Sequence, residues 1–190
     1  MSNENVQSVI NPSNEGAVRS FISRMIRAAK LDASLYDEVE SDRAAMGQAV
    51  SVIILSSIAA GIGGGAFNAP GILMMTIAAF AGWFLWAFLT FFIGTRFLPQ
   101  ENTRADYSKL LRTIGFASSP GIIRIFGALP ALRSLVFFAA SAWMVIAMVI
   151  AVREALSYTS TLRAVAVVAI GWAIQFILLM FVMGIVTRMV

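Results

Sequence analysis

The sequence predicts an all-α membrane protein: a polytopic transmembrane helical bundle of about five spans, the third of them broken, preceded by an amphipathic cytoplasmic helix. Three observations predict it. The chain is 59% hydrophobic and 13% charged, against about 45–50% and about 25% for an ordinary soluble domain. Four uninterrupted apolar blocks, 46–67, 71–95, 132–152 and 164–187, reach the roughly 20 residues that a hydrocarbon core requires. A further block, 113–131, is long enough to cross but is interrupted by Pro120, Arg124 and Pro130. The division that follows is a cytoplasmic arm, 1–43, and one transmembrane domain, 44–190, with no room for a separate soluble domain.

Residues 1–15 are polar and aperiodic, with Asn11-Pro12-Ser13-Asn14 as turn punctuation, and read as a mobile tail. No basic start followed by an apolar core marks a cleavable signal. From 16 to 30, Val18, Phe21, Ile22, Met25, Ile26 and Ala29 fall on one helical face, and Arg19, Arg24, Arg27 and Lys30 occupy the rest. A basic amphipathic helix of this kind either lies in an anionic membrane surface, where each cation contributes about 1 kcal/mol, or packs its apolar face under the bundle. The acidic run Asp32, Asp37, Glu38, Glu40 and Asp42 then reads as a solvated connector, or as a cap for the first span, where the helix dipole favours carboxylates.

In the first span Gly61 and Gly65 stand four residues apart, the spacing at which small residues let a neighbouring helix approach. No Lys-Ser/Thr pair follows these glycines, so they do not form a phosphate loop. Pro70 falls in the first turn of the second span, after the uncharged turn Phe67-Asn68-Ala69. In the broken block, irregular backbone at membrane depth must be buried in protein or line a cavity, which makes Gly115, Pro120 and Arg124 a candidate packing or solute site. At the end of the fourth span Arg153 and Glu154, with Tyr158 and Arg163 in the following link, form a candidate capping network.

Basic residues fix one end. Arg19, Arg24, Arg27, Lys30 and Arg43 precede the first span, none lies in the turn after it, and Arg96, Arg104, Lys109 and Arg112 follow the second. The positive-inside rule therefore makes the N-terminus and the 96–112 link cytoplasmic. Beyond that, a crossing third block misplaces Arg133 and Arg188, and a re-entrant one misplaces Arg153 and Arg163. The rule does not separate the two.

Chemistry is sparse. The chain has no cysteine and no histidine, so thiolate sites, disulfides, imidazole bases and imidazole ligands are all excluded. No acid lies at mid-span, and the serines of the broken block have only arginines nearby, which stay protonated and cannot act as base. The expectation is no enzyme activity, no catalytic residue, no metal, no cofactor and no nucleic acid.

Three stretches together resemble a known family: Arg27-Ala-Ala-Lys-Leu-Asp-Ala-Ser-Leu-Tyr-Asp-Glu-Val-Glu40, Leu111-Arg-Thr-Ile-Gly-Phe-Ala-Ser-Ser-Pro120, and Val152-Arg-Glu-Ala-Leu-Ser-Tyr-Thr-Ser-Thr-Leu-Arg-Ala164. They look like a prokaryotic member of the Yip1-domain membrane proteins, over roughly 27–185. The resemblance implies five spans with a cytoplasmic N-terminus, and so favours a crossing third block in a prokaryotic cytoplasmic membrane. Eukaryotic relatives contact prenylated GTPases through an Asp-Leu-Tyr-Gly-Pro-like motif. Only Leu35-Tyr36-Asp37 matches it here, so GTPase binding is not carried over. The expected role is membrane organisation or scaffolding, with the bilayer and a membrane-protein partner or a second copy as partners. The alternatives are a small transporter or channel using the broken span, and an accessory subunit of a larger complex.

Overall fold

The computed structural model describes residues 12–65, 69–100 and 106–189. These form helices α1 (Pro12–Ala29), α2 (Ala33–Ser41), α3 (Ala45–Gly64), α4 (Ala69–Phe92), α5 (Tyr107–Ala117), α6 (Arg133–Ala155) and α7 (Thr161–Met189). A π-turn, Ile93–Phe97, prolongs α4, and a 3₁₀ segment, Ser119–Ala128, follows α5; there is no strand among the described residues. Residues 1–11 of the expected 1–15 tail, residues 66–68 and the link residues 101–105, Arg104 included, lie outside the described residues, and the last four residues of that tail belong to α1.

Four helices, Ala45–Gly64, Ala69–Phe97, Arg133–Ala155 and Thr161–Leu178, are long and apolar enough to cross a membrane. They correspond to the four continuous apolar blocks of the sequence. Much of their outer surface is large and apolar, as at Phe88, Phe138 and Phe176, where lipid rather than water is the solvent the sequence suits.

The arm is more structured than its composition suggests. Helix α1 begins at Pro12, four residues before the apolar periodicity starts, and the acidic run is a helix rather than a connector. Asp32 caps its start by accepting from the Ser34 N–H at 3.0 Å. Its apolar residues, Leu35, Tyr36 and Val39, recur on one face and are fully buried against Ala147 and Ala151 of α6 and Phe116 of α5. The acids hide this face in the sequence, because three apolar residues among five carboxylates look like a solvated stretch.

Helix α5 lies at the centre, and every residue from Leu110 to Gly121 is buried. It stops at Ala117 because Pro120 has no N–H to continue the ladder and its ring would strike the carbonyl of residue 116. The chain then narrows into the 3₁₀ segment.

Candidate functional site

A row of mostly small residues on α3, Ala45, Ala49, Val52, Ser56, Ala59 and Gly63, alternates four and three residues apart and is buried throughout, which places it on one helix face. The broken block climbs this row. A Cβ placed on Gly115 would lie 2.7 Å from the Cβ of Ala49, one on Gly121 would meet Ser56 Oγ, and one on Gly63 would overlap the backbone carbonyl of Arg124. Helix α6 runs the other way on the far side. Arg124 Nη2 donates to Ser141 Oγ at 3.3 Å and its guanidinium sits 5.7 Å from the Phe137 ring, while Phe116 packs lower down with Ala147 and Ala151. From Gly115 to Gly127 the segment therefore follows α3 from Ala49 to Gly63, about 20 Å of helix axis.

The residues of the expected packing or solute site divide. Gly115 and Pro120 are buried in this contact. Arg124 instead lines a cavity of about 420 Å³, together with Ser57 of α3, Trp83 and Trp86 of α4, and Trp172 and Gln175 of α7. The buried Nε of Arg124 has no hydrogen-bond partner, and no described carboxylate pairs with the side chain. Of the two glycines expected to mediate contact, Gly61 is buried within α3 and Gly65 ends it in the left-handed region at φ 92°, where a side chain would be strained. The closest approach is at Gly63, between them.

The arm's cations also divide. Arg24 pairs with Glu38 and Asp42 at 2.8 and 2.9 Å, and Arg27 with Asp32 at 2.8 Å and with Glu38. The Arg27 and Ser34 hydrogen bonds hold the Asp32 carboxyl down at about 2. Arg19 and Lys30 border a shallow outer depression with Ile22 and Ile26, which Arg27 also lines. Val18, Ile22 and Ile26 are 54%, 49% and 49% exposed in a row along that outer face, while Phe21 and Met25 turn inward.

One important residue has no signal in the sequence beyond being a lone cation in a buried stretch. Arg112, only 4% exposed, donates from Nε to Val39 O at 2.9 Å, from Nη2 to Glu40 O, and from Nη1 to Ser108 Oγ at 2.9 Å. It thus satisfies carbonyls at the C-terminal end of α2, where helix geometry leaves them without partners and the dipole favours a cation. Lys109 adds an ion pair to Glu40 at 2.6 Å.

The Arg153–Arg163 link docks on the π-turned end of α4. Arg153 and Glu154 pair with each other at 2.6 Å. Tyr158 OH reaches the carbonyls of Gly94 and Leu98 at 2.9 and 2.8 Å, and Arg163 donates to Pro99 O at 2.8 Å.

Against this geometry, the family model for the Yip1 domain matches residues 34–183, from the second arm helix into α7. The chain belongs to the Yip1 family. No curated protein and no solved structure matches it. It is an integral membrane protein of that family. In this Yip1 protein the stretch Leu35-Tyr36-Asp37 offers only Asp37 to solvent, since Leu35 and Tyr36 are fully buried. The match covers α2 from Ser34 onward and omits α1.

Proposed function

We propose that this Yip1 protein is a non-enzymatic membrane organiser or assembly partner that crosses the bilayer five times from a cytoplasmic N-terminus. Support for the fifth crossing comes from the broken block, which follows α3 from Ala49 to Gly63 and so travels between the same two ends as a continuous span. That path puts the Arg153–Arg163 link beside the π-turned end of α4. All of the chain's fourteen cations except Arg124, Arg133 and Arg188 then fall on the side of the arm, in keeping with the positive-inside rule.

The observation that carries the functional reading is the two-sided arm. Its inner side is held by Arg24, Arg27 and Arg112, and its outer side offers Val18, Ile22 and Ile26 beside Arg19 and Lys30. A fixed helix with an apolar row and flanking cations suits an anionic membrane surface or the apolar face of another membrane protein. The deciding experiment is purification from native membranes in mild detergent, with the intact mass measured for the parent and for Ile22→Glu/Ile26→Glu. A companion at fixed stoichiometry, lost in the double variant, supports assembly through the arm. A lone chain with the same membrane distribution in both proteins would overturn it.

Solute passage along the broken segment is the second reading, and it draws on Arg124 and its cavity. Liposomes holding the parent protein and showing no flux of small anions would remove it.

A further inference from the structure

We infer that the cavity beside Arg124 binds an amphipathic anion, with a carboxylate or phosphate held by the guanidinium and a hydrocarbon body lying along Trp83, Trp86 and Trp172. Among the described residues, Arg124 is the one charged side chain lining a cavity whose volume, about 420 Å³, falls within the roughly 300–1,000 Å³ of small-molecule sites. Its described partners, the Ser141 hydroxyl at 3.3 Å and the Phe137 ring, bring no negative charge, and its buried Nε is unpartnered. A guanidinium surrounded by apolar helices is costly until an anion meets it, and planar, forked donors suit carboxylate and phosphate.

The remainder of the cavity selects the rest of the ligand. The indole N–H of Trp83 already donates to Leu111 O at 3.1 Å, and that of Trp86 contacts Met148 Sδ at 3.1 Å. These two rings therefore offer apolar surface rather than donors, and of the polar side chains that also line the cavity, Ser56, Ser57, Ser118 and Gln175, Ser57 and Ser118 already donate to Ile53 O and Ile114 O. This site is independent of the arm, so its loss leaves the assembly reading untouched.

The test is tryptophan quenching in nanodiscs made from unbrominated zwitterionic lipid. A dibrominated C18 fatty acid, its methyl ester and a dibrominated phosphatidylglycerol are titrated into the parent, Arg124→Gln and Gly82→Phe. Gly82 lines the cavity, and a Cβ there meets nothing within 4 Å, so a side chain can start into the space without striking a neighbour at its first carbon. The expected result is saturable quenching of the parent by the acid or the phospholipid, whichever is the natural source, with only non-saturating partitioning of the ester. Affinity should fall at least tenfold in each variant, and Gly82→Phe decides alone should Arg124→Gln not fold. Equal saturation by acid and ester, parent-like affinity in Gly82→Phe, or full displacement by inorganic phosphate would overturn the assignment.

Discussion

The backbone carbonyl of Arg124 rests directly against Gly63, in the space that a side chain on Gly63 would occupy. Phe137 closes the same spot, 3.2 Å from where the Cβ would stand. Backbone cannot swing aside as a flexible side chain can, so the broken block and α3 are locked in register here.

Gly63→Ala is therefore expected to destabilise the bundle by about 1–3 kcal/mol, the usual cost of overpacking a close contact. Gly82→Ala, at a helical glycine with open space around it, should be neutral or slightly stabilising. Thermal unfolding of both variants in one detergent checks this; equal midpoints would mean that the Gly63 contact is not maintained.

Arg112→Met should free α2 from α5. Two carbonyls at the end of α2 lose a charged donor, a change worth about 3 kcal/mol. Arg112→Lys should rescue little, because a single ammonium cannot reproduce the planar fork that serves Val39, Glu40 and Ser108 together. Amide exchange over 33–41 should quicken sharply in both variants and stay slow in Lys109→Met, where only the ion pair is lost.

The arm should loosen in acid. The ordinary value of the Asp32 carboxyl is 3.8 and in the fold it stands at about 2, held first by the Arg27 hydrogen bond; Glu38 is shifted the same way, again first by Arg27. Since the native group binds its proton less readily than the unfolded one, this stabilisation is complete above about pH 4 and drains away as the pH falls to about 2. With no cysteine in the chain, spin labels at Gly16→Cys and Gly47→Cys report the distance across the arm. That distance should hold above pH 5 and lengthen reversibly below 4; no change down to 2 would show that these pairs do not secure the arm.

Single cysteines also test the crossings. Labels at Gly47→Cys and Ser157→Cys should react with an impermeant reagent from the same face of sealed vesicles, and Leu129→Cys from the opposite face. Reaction of 157 and 129 from one face would favour the re-entrant path.

Ser157 gives a fifth test. It adopts φ 53° at the end of α6, where the Ser157 N–H bonds Glu154 O and the Tyr158 N–H bonds Arg153 O, a closure that glycine usually supplies. Ser157→Gly should raise stability by about 0.5–1 kcal/mol. A lower melting midpoint would mean that the exposed hydroxyl contributes more than the left-handed backbone costs.

What the sequence made legible were features with a period or a length. The four continuous apolar blocks recur as α3, α4, α6 and α7 with ends shifted by a few residues, because hydropathy senses depth and caps set the ends. The break at Pro120 was visible because proline acts locally. Helix α2 was not, since Leu35, Tyr36 and Val39 are too few to outweigh the surrounding acids. Neither was Arg112, whose partners on α2 are carbonyls and so carry no side-chain signature. The separation of Arg124 from Gly115 and Pro120 depended on which elements surround a cavity, and spacing along one segment holds no such information.

The Arg112 clamp also imposes an order on biogenesis. The ribosome releases α2 first, yet the donor that closes its last turn comes about seventy residues later, after two spans have been threaded into the bilayer. Until then the Val39 and Glu40 carbonyls must be served by water, and the apolar face of α2 has neither Phe116 nor Ala147 to cover it. The arm of this Yip1 protein is thus made early and seated late, and a chain interrupted before α5 would display an unsealed arm to whatever surveys nascent membrane proteins.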